Sequence, residues 1–88
     1  MEVFPGGLCV PDPIYPQRNQ EVEWFTARDN FMIEFMNGTP FDADRFNSGQ
    51  ERSVRMKVRS GAKLKPYRYK YTCHTPMGSN DPELVVVS

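Results

Sequence analysis

From Tyr67 to Cys73 every second side chain is an aromatic ring or a thiol: Tyr67, Tyr69, Tyr71 and Cys73, with Arg68, Lys70 and Thr72 between them. Successive side chains of a strand leave opposite faces, so this order predicts a strand with one buried and one wet face. A turn-rich break follows, Thr75 to Pro82. The run Leu84-Val85-Val86-Val87 is then apolar throughout and reads as a strand covered on both sides. Between the two lie Cys73, His74 and Met77, a thiol, an imidazole and a thioether within five residues, all soft metal ligands.

The rest of the chain repeats this strand-and-turn pattern. Leu8-Cys9-Val10 is a minimal strand stopped by Pro11 and Pro13, after an irregular segment over residues 1–7. In Glu21-Val22-Glu23-Trp24-Phe25-Thr26, Val22 and Trp24 share a face, and Trp24 is expected at the centre of the core. Ala27-Arg28-Asp29-Asn30 is expected to close a hairpin into Phe31–Met36, where Phe31, Ile33 and Phe35 face one way and Met32, Glu34 and Met36 the other. Asn37-Gly38-Thr39-Pro40 is a turn. Phe41 to Gln50 reads as a long irregular crossing between sheets, and from Arg52 to Arg59 the residues Val54, Met56 and Val58 alternate with bases. The sum is six or seven short strands with no helix, in which a long crossing favours a Greek-key β-sandwich over a meander.

Eighty-eight residues make one domain, residues 1–88, able to bury about 60 to 65% of its unfolded surface. Eight Pro, six Gly and eleven aromatic residues suit a turn-rich all-β architecture. The net charge is zero but segregated: residues 1–51 carry nine acids and three bases, and residues 52–70 carry eight bases and no acid. Such a distribution reads either as basic strands beside acidic ones or as a patch for an anionic partner. Two cysteines, Cys9 and Cys73, make one long-range disulfide or two buried thiols, and both alternatives stay open. The N-terminal stretch has no basic segment followed by an apolar run. The expected location is therefore cytoplasmic, or periplasmic or secreted if a leader was removed, with no membrane association.

The order of these strands resembles the cupredoxin, or plastocyanin-like, family. Residues 8–88 carry the resemblance: Val22-Glu23-Trp24, Phe31-Met32-Ile33-Glu34-Phe35, a turn containing Pro40, the charged alternating strand, Tyr69-Lys70-Tyr71, and Asn80-Asp81-Pro82-Glu83 leading into a valine-rich last strand. The resemblance implies a Greek-key β-sandwich, of the small copper-free kind. Blue-copper members use two His, a Cys and often an axial Met. Here Phe41 stands where the first His would be expected, and the chain has one His in all. Adjacent residues of a strand point apart, so Cys73 and His74 are expected to diverge. A degenerate copper site on Cys73, His74 and Met77 remains as the alternative reading, with Cys9 or a second chain completing the shell.

Other chemistry finds less support. Cys73 has only its sequence neighbour His74 as a base, and Asp42-Ala43-Asp44 lacks the Gly and third acid of a calcium loop, so no enzyme is expected. The rings of Tyr67, Tyr69 and Tyr71 would face inward, leaving cations without stacking platforms, which argues against nucleic acid. The expectation is a non-catalytic module that binds another protein or a second copy of itself. Its candidate surfaces are the partly apolar face of Met32 and Met36 and the basic face of Arg55, Lys57, Arg68 and Lys70.

Overall fold

The computed structural model describes residues 1–88. Strands β1 (Glu2–Val3), β2 (Cys9–Val10), β3 (Glu21–Phe25) and β6 (Ser53–Lys57) form one sheet in the order β2-β1-β3-β6. A second sheet contains β4 (Met32–Glu34), β5 (Arg45–Asn47), β8 (Thr72–Thr75) and β9 (Gly78–Asn80) in the order β5-β4-β8-β9. The pair β7 (Tyr69–Lys70) and β10 (Glu83–Leu84) makes a third, two-stranded sheet. A 3₁₀ turn, Gly49–Glu51, is the one helical element. No helix is long and apolar enough to cross a membrane.

The longest pairing follows directly from the alternation. In β3 and β6, Val22 stands opposite Met56 and Trp24 opposite Val54, while Glu21 meets Lys57 and Glu23 meets Arg55. Apolar pairs fall on the inner face and opposite charges on the outer one, so one register satisfies both faces and a slip of one residue would ruin both.

All three sheets share a single core. Trp24 is fully buried at its centre, with Phe41, Phe46 and Tyr71 packed against its ring at centroid distances of 5.6, 5.3 and 5.8 Å. These separations and the tilted or edge-on angles are those that aromatic quadrupoles favour. Ile33 and Cys73 enter from the second sheet, and Tyr69 and Leu84 from the third. Leu84, Val85 and Val86 are all buried, as the apolar run predicts, although Val87 is half-buried and strand pairing covers only Glu83–Leu84, with an isolated bridge at Val86.

Four expectations need correction. There are ten strands, not six or seven, because β1, β5 and β9 lie in stretches read as irregular or turn, including the first seven residues. These strands are two or three residues long, and β9 is exposed throughout, so their backbone pairing leaves no trace in apolar patterning. Residues 27–30 do not close a hairpin: β3 and β4 belong to different sheets. The segment has no Gly for a tight hairpin turn. It is held instead by the Arg28 N–H donating to Thr26 Oγ1 (3.1 Å) and the Phe31 N–H donating to Ser48 Oγ (3.1 Å).

The crossing placed at Phe41–Gln50 is correspondingly shorter. Residues 45–47 return as β5 against β4, and the passage to the first sheet is made by Ser48 to Arg52. Finally, the Tyr strand is two strands. β7 pairs with β10 and β8 with β4 and β9, and the chain changes sheet at Tyr71, whose N–H donates to the Pro82 carbonyl (3.1 Å). Side-chain alternation continues through this corner, with Tyr69, Tyr71 and Cys73 all buried and Tyr67 partly so. Alternation records which way side chains face, and it is silent on which strand accepts the hydrogen bonds.

Candidate functional site: a buried sulfur corner and an apolar end

The three soft ligands do not face a common space. Cys73, in the middle of β8, points into the core and is fully buried. His74 faces outward, where its Nε2 lies 3.1 Å from Glu34 Oε1, and Arg45 approaches the other oxygen of the same carboxylate at 3.9 Å. This follows from register: His74 stands opposite Met32, and Thr72 opposite Glu34, across the β8–β4 pair. Met77 sits in the turn between β8 and β9 with 72% of its surface exposed.

Cys73 instead meets Cys9. The N-terminal turn brings the two together: the Gly6 N–H donates to Thr75 Oγ1 (3.0 Å), and Gly7, at φ +85°, lies directly on the backbone of Cys73 and Asn80. A Cβ at Gly7 would overlap the Cys73 carbonyl oxygen and lie 2.7 Å from the Asn80 nitrogen, so only glycine allows this approach. Two residues on, Cys9 is buried with its Sγ 3.7 Å from the Gly7 carbonyl oxygen. Both cysteines are free, buried thiols.

Their titration splits accordingly. Hydrogen bonding with the Cys73 thiol holds the Cys9 pKa below the ordinary thiol value, against the opposing effect of burial. Cys73 moves the other way, raised first by that hydrogen bond and then by burial. Beside the pair stands Tyr71, whose hydroxyl accepts from Trp24 Nε1 (3.2 Å) and lies 3.4 Å from Met1 Sδ. Burial raises the Tyr71 pKa, with the neighbouring Cys9 adding to it. No buried side-chain nitrogen or oxygen is left without a partner. The corner is a satisfied sulfur and hydroxyl network joining residues from both ends of the sequence.

The basic candidates are largely neutralised by their own fold. Arg55 Nε lies 3.3 Å from Glu23 Oε2, Arg68 Nη1 lies 3.0 Å from Glu83 Oε1, and Lys57 and Lys70 stand opposite Glu21 and Glu83 in their strand pairs. The charge segregation along the chain therefore appears in space as strands of opposite sign lying together. Of the apolar candidates, Met32 is half-buried in β4, whereas Met36 lies beyond the strand end and is 75% exposed. Met36 and Lys70 do come together, lining a shallow pocket of about 140 Å³ with Glu34, Tyr71 and Asp81.

A further apolar surface lies at the turns that follow β1 and β8. The Phe4–Leu8 turn, closed by the Phe4 N–H donating to the Leu8 carbonyl (2.8 Å), packs on the turn that carries Met77, with Gly6 Cα 3.9 Å from the Cβ position of Gly78. Phe4, Leu8 and Met77 are all exposed at this end of the molecule. The signal in the sequence is two large apolar residues, Phe4 and Leu8, flanking the turn residues Pro5-Gly6-Gly7. Comparison of the chain with protein-family models, with curated proteins and with solved structures finds no match.

Proposed function

We propose that the protein is a non-catalytic binding module, built as a cupredoxin-like Greek-key β-sandwich without a complete copper site, that engages another protein through the loops at one end. The observation that carries this reading is the end surface of Phe4, Leu8 and Met77, three exposed apolar side chains on two turns pinned together by the Gly6–Thr75 hydrogen bond. Apolar groups displayed on a rigid support are what the centre of a protein interface requires. The self-paired charges of Arg55 and Arg68 favour this end over the basic sheet face.

The test is capture from a native extract with wild-type protein and with Leu8→Glu/Met77→Glu, the fold being checked by the near-ultraviolet signal of buried Trp24. The double variant is expected to lose the partner at least tenfold, and unchanged capture would sink the reading. Met36→Glu/Lys70→Glu tests the shallow pocket in the same assay, where a selective loss would move the interface there. The copper alternative on Cys73, His74 and Met77 has less support, since those side chains point in three directions. Anaerobic titration with copper would revive it if a thiolate charge-transfer band grew in and was lost in Cys73→Ser.

A further inference from the structure

Cys9 and Cys73 are 64 positions apart in sequence and sit in different sheets, yet both are buried in one core, where the turn through Gly7 lies directly on the Cys73 backbone and Cys9 Sγ lies 3.7 Å from the Gly7 carbonyl oxygen. The arrangement also has an asymmetry. Cys73 lies in β8, which has neighbours on both sides, while Cys9 lies in β2, the edge of its sheet, held through two residue pairs to β1. The residues flanking Cys9, Leu8 and Val10, are each 48% exposed. Short edge pairings open at low free-energy cost, so Cys9 is the thiol that solvent reaches first.

We propose that Cys9 and Cys73 are a redox-active pair, a covalent modification site that closes to a disulfide between the first and second sheets when a low-molecular-weight disulfide is the oxidant. Cys9 thiolate attacks one sulfur of the oxidant, forming a mixed disulfide and expelling one small thiolate. Cys73 then gives its proton to that thiolate and attacks Cys9 Sγ, expelling the second small thiolate, which takes back from water the proton that Cys9 released on ionising. Two protein thiols are oxidised and one small disulfide is reduced to two thiols. The opposite shifts of the two thiols suit each to its step: the anion is favoured on Cys9, and Cys73 stays protonated until the mixed disulfide forms. Closure joins the N-terminal turn to β8 covalently and fastens the support under Phe4 and Leu8. The inference stands whether or not that surface binds a partner.

The experiment incubates the native protein with oxidised glutathione, quenches in acid and alkylates in guanidinium before mass spectrometry. The expected product is monomeric, lighter by two hydrogens, without alkylatable thiols, and yields a peptide linking residues 9 and 73. Closing so long a loop should raise Tm by about 10 °C or more. Two persisting free thiols, a lasting glutathione adduct, intermolecular dimers alone, or an oxidised form that melts below the reduced one would each overturn the proposal. Cys73→Ser is expected to stop at a stable Cys9 adduct and Cys9→Ser to remain unmodified while folded, and the reverse pattern would refute the assignment of Cys9 as the attacking thiol.

Discussion

Tyr71 is the residue on which most of the molecule's chemistry meets. Its ring packs 4.9 Å from Phe35 and 5.8 Å from Trp24, its hydroxyl serves the indole N–H, and its backbone turns the corner between two sheets. Tyr71→Phe leaves the Trp24 N–H buried without an acceptor, and we expect a loss of about 1 to 3 kcal/mol in urea denaturation. The pH dependence has a definite sign. Burial raises the folded Tyr71 pKa, so its contribution is intact below the ordinary tyrosine value and falls as pH rises past about 10, where the unfolded chain ionises first. Cys73, also raised, pushes the same way. Denaturation midpoints at pH 8 and pH 11 should therefore converge more closely in Tyr71→Phe than in the wild type.

At the level of elements, the β3–β6 pair shows what the sequence disclosed and what it withheld. Glu23 and Arg55 are both well exposed, so Arg55→Ala should cost less than about 1 kcal/mol, and less still in high salt. Arg55→Glu places like charges opposite each other and should cost more, with Glu23→Arg/Arg55→Glu recovering most of the loss in a double-mutant cycle. The alternation of Glu21 to Phe25 and Ser53 to Lys57 made both strands legible, since each buries one face. Trp24, as the largest side chain on such a face, was legible as the core's centre for the same reason. The strands β1, β5 and β9 were not, because they are held by backbone hydrogen bonds whose donors and acceptors every sequence possesses. The divergence of Cys73 from His74 followed from strand periodicity. The meeting of Cys73 with Cys9 depended on the close approach of Gly7, a tertiary fact that no local pattern announces.

Across the whole molecule, that approach is the joint between the N-terminal turn and the second sheet. Gly7→Ala combines a left-handed φ with a backbone collision and should lower stability by about 2 kcal/mol or more, or detach the turn outright. Gly6→Ala, at φ +89° with open space around it, should cost only about 1 kcal/mol of conformational strain. Comparing the two by thermal denaturation separates packing from backbone preference. The third sheet imposes a different condition. Ile14 bridges to Leu84, Leu64 bridges to Val86, and the Arg18 N–H donates to the Ser88 carbonyl (2.7 Å), so early residues find their partners among late ones. A chain emerging from the ribosome at 5 to 20 residues per second, in round terms, thus carries Trp24, Ile33 and Phe41 for several seconds before residues 84–86 emerge to cover them. Completion of the core must wait for the end of this stretch, and until then those side chains lack the strand that covers them.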